Sequence, residues 1–494
     1  MSENNYVKSD KFAPVASGQA VVEARQMLEQ DCKVLSVSAT ASVRPSEVFA
    51  GEARYAGKVR FDCLVLCDNR VECMSVVAEF SDKIASPAIC AGMNVVLMPE
   101  TVNTEASPEG KTLKLVAVVD VKLCATSHSE CNIMTVPDNG VFAEKKTIDY
   151  CTVQAETSEV VYITDSLANV KATEILCTCA RATVTATECA DNEVKVSGTV
   201  YTYVIVRNDD GLISSCRIVT PYVKSLSALG ASADSLALAS AAVTESAATL
   251  AVEPDSSTVE LSVTVLIDAT VIGCGKTDAI VDVFCADNEI ETSSVEMTVC
   301  SVEPQTTVTD TIDGQITLEK DRLAADNVLC VTNTFCQIAG ARAEDKRVYV
   351  DGLAGGDIIY YNAEKNAVDS IAFRLPFSMP LSVHTEACEV SVSAVLIDVS
   401  VRVRRESVFD VKAEAAFTVR QSSQKSVSVV ESVKLGEPIA RPNATVIVHI
   451  AKKGETLWQA AKALCCSPDR VTEQNSACAA PYSGGERLIN FCNK

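Results

Sequence analysis

The sequence predicts a mainly β protein: three tandem β-rich repeat units followed by a small βααβ module at the C-terminus. Three observations point there. The chain has 494 residues, 48% of them hydrophobic but only 5% aromatic, and its wealth of Val and Thr favours strands over helices. Period-two alternation is clearest around the middle of the chain. There Val259, Leu261, Val263, Val265 and Ile267 alternate with Thr258, Glu260, Ser262, Thr264 and Leu266, the signature of a long strand with one face on a core. Finally, short phrases recur three times, as expected of a repeat architecture. The length calls for roughly three or four domains rather than one core.

Taken in order, residues 1–33 read as a tail ending in a short helix, because Val21, Val22, Ala24, Met27 and Leu28 recur at helical spacing. Three β-rich repeats follow at 34–155, 156–303 and 304–432. Their opening phrases are Val34-Leu35-Ser36-Val37, Ile175-Leu176-Cys177-Thr178 and Val328-Leu329-Cys330-Val331. Each is followed by a glycine (Gly57, Gly198, Gly352), an alternating strand and an Asn/Asp-rich turn, a hairpin signal. A second half-unit is marked by Val118-Val119-Asp120-Val121, Leu266-Ile267-Asp268-Ala269 and Leu396-Ile397-Asp398-Val399. The connection between half-units varies: 98–111, then the Ala/Ser-rich 226–257, then only 380–388. The Ala/Ser run reads equally as a helix over the sheet or as a surface loop. Residues 433–445, with Pro438 and Pro442, form a linker to the C-terminal module at 446–494.

The net charge is −22, which argues against nucleic acid and anionic membrane as partners. Residues 446–494 hold six Lys/Arg and four Asp/Glu, leaving −24 for everything before them. A mildly basic head therefore sits on an acidic body. The start, Met1-Ser2-Glu3-Asn4-Asn5-Tyr6, lacks a secretory signal, and no run approaches the ~18 apolar residues of a membrane helix. The expectation is a cytoplasmic protein with no transmembrane segment. Its 22 cysteines mostly occupy strand positions suited to Val or Ala, so they read as reduced packing residues; none has zinc spacing. Asp120, Asp268 and Asp398 lack regular ligand spacing and read as solvent-facing strand carboxylates rather than metal ligands. No metal or other cofactor is expected.

From Val446 the residues spell a short apolar strand, Val446-Ile447-Val448-His449-Ile450, and then Lys453-Gly454-Glu455-Thr456-Leu457-Trp458. Gly454 suits a turn with φ > 0 and Thr456 a helix N-cap. A second helix starts near Ser467, and Gly485-Glu486-Arg487-Leu488-Ile489 leads into a closing strand. This order and these phrases resemble a LysM domain. The resemblance implies a groove for N-acetylglucosamine polymers or a protein partner. The groove comprises Lys452, Lys453, Gly454, Glu455, Thr456 and Asn475 on one side of the sequence, and Pro481, Tyr482, Ser483 and Gly484 on the other. Trp458, Leu457 and Leu488 are its expected core. Residues 476–480 depart from the Pro-Leu usual after the landmark asparagine. Repeated β-rich units ahead of one C-terminal LysM also resemble the SipL/SpoVID class of spore-envelope morphogenetic proteins. That likeness implies a non-enzymatic scaffold on the mother-cell side of the forespore, docking through its LysM to a SpoIVA-like basement-layer protein of the coat. The alternative is a peptidoglycan-binding protein of the cell envelope.

An enzyme reading has little to stand on. His128, His384 and His449 are far apart in sequence, and neither a Gly-x-Ser-x-Gly motif nor a phosphate loop is present.

Overall fold

The computed structural model describes residues 3–137, 140–252, 256–318, 327–362, 366–387, 389–404, 408–439 and 446–491. It is mainly β, with 80% of residues in strands and two short helices. Six strands build a first sandwich: β1 (Glu3–Met27), β2 (Cys32–Phe49), β3 (Glu52–Cys67), β4 (Arg70–Ala85), β5 (Val95–Glu109) and β6 (Thr112–Val136). One sheet is the meander β2-β3-β4; the other has the order β1-β6-β5. Between them lie Tyr55, Phe61, Leu115 and Leu123.

The same order recurs twice. β7 (Val141–Val170), β8 (Glu174–Ala190), β9 (Glu193–Arg207), β10 (Ile213–Ser227), β11 (Leu236–Val252) and β12 (Ser257–Cys285) give sheets β8-β9-β10 and β7-β12-β11. The third sandwich is preceded by β13 (Asn288–Val302) and contains β14 (Thr306–Thr317), β15 (Asn327–Glu344), β16 (Arg347–Asn362), β17 (Ala367–His384), β18 (Glu389–Arg404) and β19 (Val408–Pro438). Here β15-β16-β17 faces a sheet in which β19 pairs with β13, β14 and β18. β13 and β14 stand where β1 and β7 are continuous, with residues 303–305 as the break between them.

The recurring glycines mark equivalent places in the three meanders. Gly57 pairs with Phe80, Gly198 with Tyr222 and Gly352 with Phe377. At each, an added Cβ would run into that aromatic ring and into a carbonyl of the neighbouring strand. The ring lies over the glycine and fills the space a side chain would take, a device that pins sheet register.

The three meanders meet end to end at an apolar junction. Leu35, Leu64 and Val71 come from the first, Ile205 and Ile213 from the second, Cys330 and Ile359 from the third. Each opening phrase places a leucine in a β-bulge: the register skips Leu35, Leu176 and Leu329. Bulges re-aim side chains, and here all three leucines join the junction. Polar contacts reinforce it. Ser36 donates to Asp357 at 2.7 Å, Arg207 ion-pairs Glu174 at 2.8 Å and donates to the Val71 carbonyl at 2.7 Å, and Tyr203 donates to the Ile397 carbonyl at 2.7 Å.

The central strands overrun the sandwiches. Beyond them the ribbons β1/β6, β7/β12 and β13/β19 pack against one another as a stem, around Val7, Ile133, Ile148, Ala279, Met297 and Val429. The stem tip carries the C-terminal module: β20 (Val446–Ile450), α1 (Leu457–Leu464), α2 (Pro468–Gln474) and β21 (Arg487–Phe491), with β20 and β21 antiparallel.

Several expectations are corrected. The short helix expected at the end of the 1–33 tail is instead strand β1 up to Met27, paired residue for residue with β6 from Ser17 onward. Ala20, Val22 and Leu28 point inward while Val21 and Met27 are exposed, so the pattern has period two. The Ala/Ser run holds β11, paired with β12, and 98–109 belongs to β5; neither is a bare connection. Leu396–Val399 lies on edge strand β18, whereas 118–121 and 266–269 lie on central strands β6 and β12. The third counterpart of β6 and β12 is β19, one strand beyond Leu396–Val399, so 380–388 is not the equivalent connection. Residues 433–438 of the expected linker continue β19 against β13, and 440–445 lie outside the described residues. Cys32 and Cys67, opposite each other at the end of the β2/β3 ladder, form a disulfide with Cα atoms 4.5 Å apart. Not every cysteine is therefore a reduced packing residue, although buried Cys63, Cys124 and Cys330 are free thiols whose pKa burial pushes up. Among the described residues no helix is long and apolar enough to cross a membrane.

Candidate functional site

The C-terminal module is built from local rules. Thr456 caps α1 in a reciprocal capping box, accepting from the Gln459 backbone N–H while the Gln459 side chain accepts from Thr456 N–H. Ser467 caps α2, with Pro468 at its first position. Cys465, at φ 49°, ends α1 in the left-handed region. Ala460, Ala461, Leu464, Val471 and Leu488 fill the core.

Two loops converge on one face. Gly454 N–H donates to the Tyr482 carbonyl at 2.8 Å, and Tyr482 N–H to the Glu455 carbonyl at 3.0 Å. Gly485 N–H donates to the Ala451 carbonyl at 2.8 Å, and Ala451 N–H to the Glu486 carbonyl at 2.9 Å. Gly454 (φ 78°), Gly484 (φ 101°) and Gly485 (φ 97°) take up backbone shapes that side chains resist. The loops hold each other in register and leave Lys452, Lys453, Gly454, Thr456, Pro481, Ser483 and Gly484 exposed.

Two carboxylates stiffen the face from within. Glu455 is buried; it accepts the Lys452 N–H at 2.6 Å and contacts His449 Nε2 at 2.7 Å. The backbone N–H of Lys452, then the imidazole of His449, hold its carboxyl below the ordinary range. Glu486 accepts from the Ser483 hydroxyl and from the Ser483 and Gly484 N–H groups. These donors, the hydroxyl foremost, bring its pKa down to about 2.

Of the ten expected groove residues, three are turned inward. Glu455 is a brace rather than a contact group. Tyr482 belongs to the core. Asn475 is buried; its amide donates to the Val471 and Ile489 carbonyls and accepts from Ile489 N–H, so α2 and β21 satisfy the side chain and it lines no groove. Leu488 is fully buried and Leu457 packs at the core edge.

Trp458 has a second role that its surroundings in sequence do not reveal. It is 9% exposed, and its ring meets Phe284 of β12 edge-on at 4.9 Å, with Phe142 of β7 tilted against Phe284 at 5.1 Å. Its indole N–H donates to Asp282 at 2.7 Å, and Lys462 of α1 ion-pairs the same carboxylate at 2.8 Å. Burial by itself raises the Asp282 pKa, but Lys462 and the indole together outweigh it and the carboxyl titrates below its ordinary range. The module is therefore seated on the stem through a shared aromatic cluster and one doubly used carboxylate.

Among the strand carboxylates, Asp120 accepts from Gln19 at 2.7 Å, and Asp398 from Tyr203 at 3.1 Å and Arg217 at 3.3 Å. Among the described residues no group of three or more His, Cys, Asp or Glu is arranged to hold a metal. A cavity of about 180 Å³ opens beside the meander junction, lined in part by Asp62, Cys179, Tyr203 and Asn333; its tyrosine is already engaged by Ile397 and Asp398. In comparisons with known proteins, no family model, curated protein or solved structure matches the chain.

Proposed function

We propose that this protein is a non-enzymatic assembly scaffold of the spore envelope. It acts in the mother-cell cytoplasm at the forespore surface, and its C-terminal LysM-like head docks to a SpoIVA-like basement-layer protein. In this reading the three sandwiches are tandem repeats of one β-rich unit. The observation that carries the reading is the exposed face made by the two interlocked loops, with Lys452 and Lys453 side by side on it. The face belongs to a head of net charge +2 on a body of −24, so it suits an acidic protein surface. The stem contact through Asp282 and Phe284 fixes the direction in which the head is presented.

A second reading, a peptidoglycan-binding envelope protein, draws support from the Cys32–Cys67 disulfide, because such bridges persist mainly outside reducing cytosol. One purified chain decides between them. Incubated in parallel with a purified basement-layer ATPase and with peptidoglycan, it binds the ATPase more tightly under the scaffold reading. Strong co-sedimentation with peptidoglycan and no complex with the ATPase would establish the wall-binding reading instead.

A further inference from the structure

Cys151 of β7 and Cys274 of β12 are direct cross-strand partners, with their sulfurs 3.4 Å apart. Cys151 is buried and Cys274 exposed. They sit where the β7/β12 ribbon leaves the second sandwich for the stem, next to the bulge at which the register shifts between Val271 and Ile272. Leu238, Ile272 and Cys300 pack with Cys151 there. The two thiols are not alike. The hydrogen bond between the two sulfurs brings the Cys274 pKa down to about 7 against the opposing pull of partial burial. The same bond, with burial, drives that of Cys151 far up. Exposed thiolate beside a buried thiol is the arrangement of cysteines that respond to oxidants.

We propose that Cys151 and Cys274 are a redox-responsive pair in which Cys274 attacks and Cys151 resolves, closing a disulfide that staples the base of the β7/β12 ribbon. The oxidant is a small-molecule disulfide. The Cys274 thiolate attacks one of its sulfurs, the S–S bond breaks, one thiolate leaves, and a mixed disulfide forms on Cys274. Cys151 gives up its proton to the departing thiolate and attacks the Cys274 sulfur, and the second small thiolate leaves and takes a proton from water. Two protein thiols are oxidised and one small disulfide is reduced to two thiols. The sulfurs need close only from 3.4 Å to about 2.05 Å. The stapled ribbon is the one whose far end presents Phe142, Asp282 and Phe284 to the head, so the bond stiffens the head's mounting.

The test titrates the full chain through oxidised and reduced glutathione mixtures and maps its peptides by mass spectrometry. A Cys32→Ser/Cys67→Ser background removes the other bridge. The expected product is a linked Cys151–Cys274 peptide pair that dithiothreitol reverses. In the same titration the Cys151→Ser variant stops at a glutathione adduct on Cys274, and the Cys274→Ser variant gives neither species. A stable glutathione adduct on Cys274 in the chain that keeps Cys151 would overturn the proposal. So would an unmodified Cys274 at ratios that label exposed Cys90 and Cys179, or a bridge from Cys151 to Cys300 instead.

Discussion

Replacing Trp458 by Ala tests how the head is held. The ring is 9% exposed and touches both the head core and Phe284 of the stem. Truncating a buried Trp costs about 3–5 kcal/mol. Within that figure the edge-on contact with Phe284 accounts for about 0.5–1.5 kcal/mol, and the lost indole bond to the Asp282 carboxylate for about 1.5–3 kcal/mol. A core as small as this head's supplies no more than about 3–5 kcal/mol, so the substitution consumes essentially all of it. Hydrogen exchange on the full chain reads the outcome amide by amide. Amides of α1, α2 and β21 should lose protection, while those of β9 and β16, buried in separate sandwiches, should keep it. Asp282→Ala should loosen the seat by a smaller amount, since it removes the indole bond and an exposed Lys462 pair worth about 0–1 kcal/mol but leaves the Trp458 ring packed. In the Trp458→Ala background it should add no more than about 0–1 kcal/mol, the worth of the Lys462 pair, because the indole bond is already gone and the two changes share it. Undiminished protection in α1 after Trp458→Ala, or full additivity of the two, would refute this picture.

Three further outcomes follow from the same geometry. Glu455 has a depressed pKa in the folded head, so its contribution is complete above the ordinary carboxylate pKa and is lost as pH falls through the folded value. Acid titration of head unfolding should therefore steepen below about pH 4.5, and Glu455→Gln should flatten that limb; an unchanged acid limb would count against the brace. Gly198→Ala should destabilise the second sandwich by about 1–3 kcal/mol, read by denaturant unfolding, because the new methyl meets the Tyr222 ring and the Thr183 carbonyl; an unshifted midpoint would contradict the assigned register. Lys452→Glu with Lys453→Glu should slow association with the basement-layer protein and weaken its salt dependence while leaving circular dichroism unaltered, whereas unchanged kinetics would move the contact elsewhere.

Much of this was legible in the sequence where one residue decides a local question. The alternation through Val259–Ile267, the repeated glycines, the Thr456 cap and the turn at Gly454 all answer to backbone and burial rules that act over a few residues. What stayed hidden depends on partners far away. β1 looked helical because Val21, Val22 and Met27 fit a helical stripe, and only pairing with β6 shows that Val21 and Met27 face outward. Leu396–Val399 matched the wrong strand because central and edge strands of one sheet share the same apolar alternation. Asp282 and Trp458 are separated by 176 positions, and nothing near either residue announces the other. The inward turn of Glu455 and Asn475 was equally out of reach, since both are polar residues at loop or helix ends that sequence alone assigns to solvent.

The most direct test of the docking account is where the protein goes in a spore-forming cell. A fluorescent fusion of the full chain, imaged through sporulation with a membrane dye, should form a shell around the forespore on its mother-cell side. Lys452→Glu with Lys453→Glu in the same fusion should disperse that shell into the mother-cell cytoplasm. Signal at the external wall, or a shell indifferent to the double exchange, would contradict the account.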